Sequence, residues 1–211
     1  MDKVIKAVIF DMDGVLIDAK EWHYEALNKS LNIFGYSISR YDHLVLYDGL
    51  PTKQKLEMLS KERGLPKKLH TFINTVKQKY TMELVHSHCK PIFQHEYALS
   101  KLKSNGYKIA CASNSIRNSI DIMLKKSDLY NYMDIIYSAE DVMNPKPDPE
   151  IYIKSIESLK LKPNNCLILE DNEHGILAAK ASGAHVLVIK NIDEVNLHNI
   201  EEKIKEISQR T

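Results

Sequence analysis

The sequence predicts an α/β protein: a Rossmann-like, doubly wound parallel sheet core with an inserted α-helical cap domain. From residue 89 onward, short apolar runs rich in β-branched residues alternate with segments of helical periodicity, a pattern typical of parallel sheets covered by helices on both faces. Residues 18–88 show helical periodicity and no convincing strand. We therefore expect a core formed by residues 1–16 and 89–211, and a cap domain formed by residues 17–88.

Five apolar runs are predicted to form the strands of the core. The first extends from Val4 to Phe10 and is predicted to be a buried strand because it is almost entirely apolar and rich in β-branched residues. The other four predicted strands are 107–113, 135–137, 166–169 and 185–189. Helices are expected between them, at 94–103, 115–126, 149–159 and 174–181, and from Asp193 onward.

The inserted block is predicted to contain three longer helices. The first follows Asp18, the second follows Pro51 and ends before Gly64, and the third follows Pro66 and extends to about Leu84. In the third helix, apolar residues recur at helical spacing and are expected to form its buried stripe. These residues are Leu69, Phe72, Ile73, Val76 and Tyr80.

Composition excludes several classes of function. With 29 Lys and Arg against 28 Asp and Glu, the net charge is +1, so nothing favours nucleic acid or an anionic membrane as a partner. The hydrophobic fraction of 44 % suits a globular protein. The three cysteines form no CxxC pair, the first residues include no apolar region of signal-peptide length, and no apolar run approaches about 18 residues. We expect a soluble, cytoplasmic monomer that acts on a small substrate.

Polar residues follow the predicted strands at the points where they end. Asp11 and Asp13 come directly after the first strand, two positions apart, so their side chains can converge on one small volume. Ligands of open parallel sheets bind at the carboxyl ends of the strands, so the residues at the other strand ends are candidates for the same site. They are Ser113, Asn114, Ser115, Glu170, Asp171 and, in the Pro-rich loop, Lys146.

This set of residues indicates phosphate chemistry that depends on Mg²⁺. Several converging carboxylates require a cation, and hard oxygen ligands favour Mg²⁺, which usually shares its coordination shell with a substrate phosphate. A lysine and a hydroxyl supply the charge and the donor that phosphate oxygens require. One carboxylate can attack phosphorus and a second can act as general acid and then as base. Asp11 and Asp13 fit these two roles.

The same residues resemble a known family. Asp11-Met12-Asp13-Gly14-Val15-Leu16, Ser113, Lys146 between its prolines and Glu170-Asp171-Asn172 are similar to the four motifs of the haloacid dehalogenase superfamily. The helical insertion after the first motif resembles the branch with a small helical cap, which includes beta-phosphoglucomutase and many sugar-phosphate phosphatases.

The resemblance implies a role for each motif residue. Asp11 would be the nucleophile and Asp13 the acid/base. Mg²⁺ would be held by Asp11, the Asp13 carbonyl, Glu170 and Asp171. Phosphate would be held by Ser113, Asn114 and Lys146. The expected function is hydrolysis of a small phosphorylated metabolite, of the sugar or polyol phosphate type, through an aspartyl-phosphate intermediate.

A phosphosugar mutase is the alternative. The resembling mutases carry a cap arginine and a cap lysine at positions that align here with Thr52 and Val76, and the nearby Lys53, Lys77 and Lys79 are predicted to lie on other faces of their helices. These departures favour a phosphatase. Cap residues expected to contact substrate are His23, Asp48, Gly49, Leu50 and Thr52.

Simpler interpretations exist for individual residues. Asp11 to Gly14 alone would also suit a turn, Ser113 would suit a helix N-cap, and His23 would suit ordinary cap packing. A catalytically idle module that binds phosphorylated ligands or protein partners is the second alternative function. All the expected catalytic positions are present in the sequence, which favours an enzyme.

Overall fold

The computed structural model describes residues 4–209. Within that range the chain forms two compact units, one of residues 4–18 with 90–209 and one of Ala19–Cys89. We call the first the core unit and the second the helical unit. The α-helices are α1 (Lys20–Asn32), α2 (Arg40–Asp42), α3 (Thr52–Arg63), α4 (His70–His88), α5 (Phe93–Ser104), α6 (Arg117–Lys126), α7 (Glu150–Ser158), α8 (Glu173–Ala181) and α9 (Leu197–Gln209).

The core unit is built on a parallel sheet of five strands in the order β3-β2-β1-β4-β5. The strands are β1 (Ala7–Phe10), β2 (Lys108–Ala112), β3 (Ile135–Tyr137), β4 (Cys166–Glu170) and β5 (His185–Val188). The predicted α/β fold class is confirmed, since each strand pairs in parallel with its neighbours and helices connect them.

The centre of the sheet is fully buried because helices cover both faces. Every residue of β1 and β4 is buried, which explains why their sequences are continuous apolar runs rather than alternating ones. On one face, Ile9 and Ile168 pack with Ile151, Tyr152 and Ile156 of α7 in a single apolar cluster. This packing fixes α7 against the strands whose ends carry the polar residues.

The helical unit has its own apolar core. Leu27 and Leu31 of α1 pack with Leu56 and Leu59 of α3 and with Ile73 of α4. The buried face of α4 differs from the predicted stripe: besides Ile73 it consists of Lys77, Thr81 and Val85, whereas Phe72 is 52 % exposed. Polar residues on a buried face weaken the apolar periodicity from which the orientation of a helix is predicted.

No helix within residues 4–209 is long and apolar enough to cross a membrane.

Candidate active site

Register in the sheet brings the ends of three strands to one edge. Phe10, the last residue of β1, pairs with Cys111 of β2 on one side and with Leu169 of β4 on the other. Asp11 follows in line, and its N–H donates to the Leu169 carbonyl at 3.0 Å. The chain therefore places Asp11 between the end of β2 and Glu170, the last residue of β4.

Lys146 lies at the centre of the site. Its Nζ donates to Asp11 Oδ1 at 2.7 Å, to Glu170 Oε1 at 2.7 Å and to the Ala112 carbonyl at 2.8 Å. The lysine is 3 % exposed, and both acids are also buried. One ammonium thus bridges two carboxylates in a place with little water, where charge-assisted hydrogen bonds are strong.

Burial and neighbouring charges determine the protonation states of Asp11 and Lys146. Burial raises the pKa of Asp11 well above its ordinary value, against the attraction of Lys146, and repulsion from Glu170, Asp171 and Asp13 raises it further. For Lys146, burial lowers the pKa, but the attraction of Asp11 and Glu170 outweighs burial and the pKa is raised. Lys146 is therefore a cation at neutral pH, and an additional cation nearby would favour ionised Asp11.

The second acid, Asp13, is held by two hydroxyls from the loop after β2. Ser115 Oγ donates to Asp13 Oδ2 at 2.7 Å, and Ser113 Oγ lies 3.4 Å from the same oxygen. Gly14 follows with φ +93°, a conformation that favours glycine and turns the chain directly after the acid. The sequence predicts that Ser115 follows the end of its strand, but it indicates no role for this hydroxyl.

Asn114 connects the loop after β2 to the loop that carries the lysine. Its Oδ1 accepts from the Lys146 N–H at 3.1 Å, and its Nδ2 donates to the Lys146 carbonyl at 3.4 Å. The asparagine side chain therefore positions the backbone of Lys146. Asn114, which is predicted to bind phosphate, therefore also positions the lysine loop.

Glu170 accepts hydrogen bonds on both of its carboxylate oxygens. Besides Lys146, the hydroxyl of Tyr152 donates to Oε1 at 2.6 Å. Oε2 accepts from the N–H groups of Asp171 at 3.1 Å and Asn172 at 3.4 Å. Sequence reasoning missed Tyr152, because an aromatic residue within an apolar helical stripe reads as core. The only available signal was the hydroxyl, which needs a partner when it is buried.

Three acids form a group that fits a divalent cation. Asp11, Glu170 and Asp171 each offer a carboxylate oxygen, and these oxygens all lie within 4.8 Å of one another. A donor set made only of carboxylate oxygens suits a hard cation such as Mg²⁺. The fourth predicted ligand, the backbone carbonyl of Asp13, stays a prediction, and the side chain of the same residue contacts Ser115.

The helical unit contains the residues predicted to contact substrate. His23 lies on α1, and its Nδ1 is 3.2 Å from Nζ of Lys77. Asp48 lies 3.9 Å from Lys20 in an ion pair. The other three predicted residues are also partly buried: Gly49 and Leu50 precede α3, and Thr52 is its first residue.

The structure differs from the sequence analysis over the lysines of the helical unit. Lys77 lies on the buried face of α4, 6 % exposed, beside His23. Lys55 of α3 is also buried, at 8 % exposure. Neither lysine was predicted to belong to a site, since a lysine at helical spacing ordinarily reads as part of a solvated face.

Comparisons with known proteins agree with this fold. The haloacid dehalogenase-like hydrolase family matches residues 8–189. A phosphorylated carbohydrates phosphatase of Thermotoga maritima is 31 % identical over 187 residues, covering 85 % of this chain and 82 % of that protein. A phosphoglycolate phosphatase of Aquifex aeolicus is 29 % identical, covering 85 % and 82 %.

A solved structure of similar fold supports the same family. The crystal structure of beta-phosphoglucomutase from Clostridium difficile superposes with a TM-score of 0.83 at 27 % identity, covering 98 % of this chain and all of that one. The resemblance inferred from the four motifs is therefore confirmed. Since the family match extends over most of the chain, and a relative above 30 % identity covers most of both lengths, this chain belongs to the haloacid dehalogenase-like hydrolase family.

Proposed function

We propose that this protein is a Mg²⁺-dependent phosphatase that hydrolyses a small phosphorylated metabolite of the sugar or polyol phosphate type. The observation that carries the proposal is the arrangement around Asp11. This carboxylate contacts the buried Lys146 cation and lies within the group of three acids that suits a divalent cation. A nucleophilic carboxylate, a metal-ion site and a fixed ammonium are the parts that phosphoryl transfer requires.

Asp11 is the proposed nucleophile. One of its carboxylate oxygens attacks phosphorus, the bond from phosphorus to the ester oxygen breaks, and the phosphoryl group is transferred to Asp11 as an acyl phosphate. Burial raises the pKa of Asp11, and the Lys146 ammonium and a bound cation would both favour its ionised, nucleophilic form. Bound Mg²⁺, held by Asp11, Glu170, Asp171 and the Asp13 carbonyl, would supply positive charge to the transferring phosphoryl group.

Asp13 is the proposed acid/base. In the first step its carboxyl gives a proton to the departing alkoxide. In the second step the resulting carboxylate takes a proton from water, which attacks phosphorus, releases inorganic phosphate and regenerates Asp11. The hydroxyl of Ser115, 2.7 Å from Asp13 Oδ2, keeps this side chain near one orientation. The phosphate oxygens are assigned to Ser113, Asn114 and Lys146.

The relatives support the substrate class. One is named for phosphorylated carbohydrates and another for phosphoglycolate, both small organic molecules that carry phosphate. Selection of the group beyond the phosphate is assigned to His23, Asp48, Gly49, Leu50 and Thr52, an assignment that rests on the motif resemblance. We also place the protein in the cytoplasm, consistent with three free, buried cysteines, and we propose that it is a monomer.

Phosphate release tests the proposal. We expect the protein to hydrolyse p-nitrophenyl phosphate with Mg²⁺ and to lose this activity with EDTA. Asp11→Asn should reduce kcat by at least about 10³-fold, since it removes the nucleophile. Asp121→Asn, which makes the same change on α6, is the matched control. Normal turnover by Asp11→Asn would exclude the aspartyl-phosphate route. A screen of sugar, polyol and nucleotide phosphates would then identify the substrate.

Phosphosugar mutase activity is the second candidate. It is favoured by the likeness to beta-phosphoglucomutase and by the buried Lys77 beside His23, a basic residue that could hold a second phosphate. The two functions differ in product. Phosphorus NMR of a sugar phosphate incubated with the enzyme would show inorganic phosphate from a phosphatase and an isomeric sugar phosphate from a mutase.

A further inference from the structure

Tyr152 is buried and contacts both Glu170 and Lys146 in the site. It lies on α7 and is 0 % exposed. Its hydroxyl donates to Glu170 Oε1 at 2.6 Å, and Nζ of Lys146 lies 4.7 Å from the centre of its ring. The same side chain therefore provides a hydrogen bond to the acid and a π-face to the cation.

The hydroxyl is not required for packing. The ring of Tyr152 packs in the apolar cluster with Ile9, Ile151 and Ile168, and a phenylalanine ring would occupy the same volume. The 2.6 Å length is typical of a charge-assisted hydrogen bond from a hydroxyl to a carboxylate. A buried hydroxyl is costly unless it is paired, so its partner Glu170 accounts for its presence.

Glu170 is also enclosed from the side of α8. A Cβ atom added to Gly175 would lie 1.9 Å from Glu170 Oε1 and 2.3 Å from Oε2, which is far inside contact distance. The carboxylate therefore occupies the space that a side chain at Gly175 would fill. With Tyr152 and Lys146 on Oε1 and two backbone N–H groups on Oε2, its orientation is determined by neighbours from several elements.

We propose that Tyr152 is a positioning residue for the metal-ion site: its hydroxyl fixes the Glu170 carboxylate in the orientation that binds Mg²⁺, and Gly175 leaves the space for it. This inference rests on the proposed function, in which Glu170 is a metal ligand. Hydrogen bonds to ligating carboxylates orient them, and removal of such partners typically lowers metal affinity or activity about 10- to 100-fold.

Tyr152→Phe tests the inference, because it removes the hydroxyl and keeps the ring. We expect the Kd for Mg²⁺, measured by isothermal titration calorimetry without substrate, to rise about 10-fold or more. With p-nitrophenyl phosphate as substrate, kcat at a fixed low Mg²⁺ concentration should fall and should recover as Mg²⁺ is raised, whereas KM for the substrate should change little. A purely structural role would lower Tm without moving the Mg²⁺ dependence.

Tyr137→Phe is the matched control. Tyr137 lies on β3 of the same unit, and its hydroxyl forms a 2.8 Å hydrogen bond with Ser158 Oγ at the surface. This variant should bind Mg²⁺ as the wild type does. Gly175→Ala is a second variant, and it should also weaken Mg²⁺ binding because the added Cβ displaces Glu170.

The outcomes separate this inference from the function on which it rests. A Tyr152→Phe protein with the Mg²⁺ affinity of the wild type, or with a change no larger than that of Tyr137→Phe, would overturn the positioning role and leave the phosphatase proposal intact. A wild-type protein that binds no Mg²⁺ would refute the metal site itself, and the inference with it.

Discussion

Replacing Lys146 by methionine removes the ammonium group that contacts both Asp11 and Glu170 and keeps a long aliphatic side chain in its place. In the wild type, this ammonium donates to the two carboxylates at 2.7 Å each and to the Ala112 carbonyl at 2.8 Å. The variant leaves two buried acids next to each other without their shared cation. We expect it to fold with reduced stability when no metal is bound.

The decrease in the free energy of unfolding of Lys146→Met can be bounded. Removing one partner of a buried ion pair typically costs about 3–5 kcal/mol. A carboxyl group can escape this cost by taking up a proton, which for an ordinary pKa near 4 costs about 4 kcal/mol at pH 7, at about 1.4 kcal/mol per pH unit. We therefore expect the free energy of unfolding of Lys146→Met to be lower by about 3–4 kcal/mol at pH 7.

The pH dependence has a definite sign. Without the lysine, the pKa of Asp11 is raised further in the folded state. The folded variant therefore binds a proton that the unfolded chain releases. The stability of the variant therefore rises relative to the wild type as the pH falls from 7 towards 5. The deficit should be smaller at pH 5 than at pH 7.

Urea unfolding followed by far-UV circular dichroism, in EDTA, measures this difference. Lys103→Met is the matched control. Lys103 forms a similarly short ion pair of 2.6 Å with Asp134, but both of these side chains are about one third exposed. Exposed pairs contribute about 0–1 kcal/mol. A loss below about 1 kcal/mol for Lys146→Met, or one equal to that of the control, would refute this account of the site.

Three further predictions concern other parts of the chain. Burial lowers the pKa of His43 from 6.5 to about 4; the folded protein should therefore lose stability as the pH falls below 6.5, and His43→Leu should remove about 1–2 kcal/mol of the loss between pH 7 and pH 5 in urea unfolding. Ser115→Ala removes the 2.7 Å hydrogen bond to Asp13 and should lower kcat about 10-fold with little change in KM. Burial raises the pKa of the Cys111 thiol, and that of Cys166 to about 12, so neither should react with a disulfide reagent until the protein unfolds.

Each of these three predictions has a contrary result. Equal losses of stability on acidification in wild type and His43→Leu would show that the histidine does not stay neutral. Unchanged kcat in Ser115→Ala would mean that the contact with Asp13 does not matter for proton transfer. Rapid modification of Cys111 or Cys166 in the native protein would contradict their burial.

Sequence patterns were enough to predict the fold class and the polar residues that share one edge of the sheet. Parallel strands present their carboxyl ends on one side, so locating the ends of β1, β2 and β4 was enough to bring Asp11, Ser113 and Glu170 together. This inference is robust because it depends on strand existence and direction. It tolerates errors of several residues in the strand boundaries.

Which side chains contact one another could not be predicted from the sequence, because it depends on how the helices pack. The contact of Tyr152 with Glu170 depends on how α7 is rotated against the sheet, and in the sequence Tyr152 is one more member of an apolar stripe. The burial of Lys77 depends in the same way on the rotation of α4, which its weak apolar periodicity did not specify. Helix rotation is set by packing against neighbours distant in sequence, so local patterns fix which residues a helix contains but not always which of them meet the site.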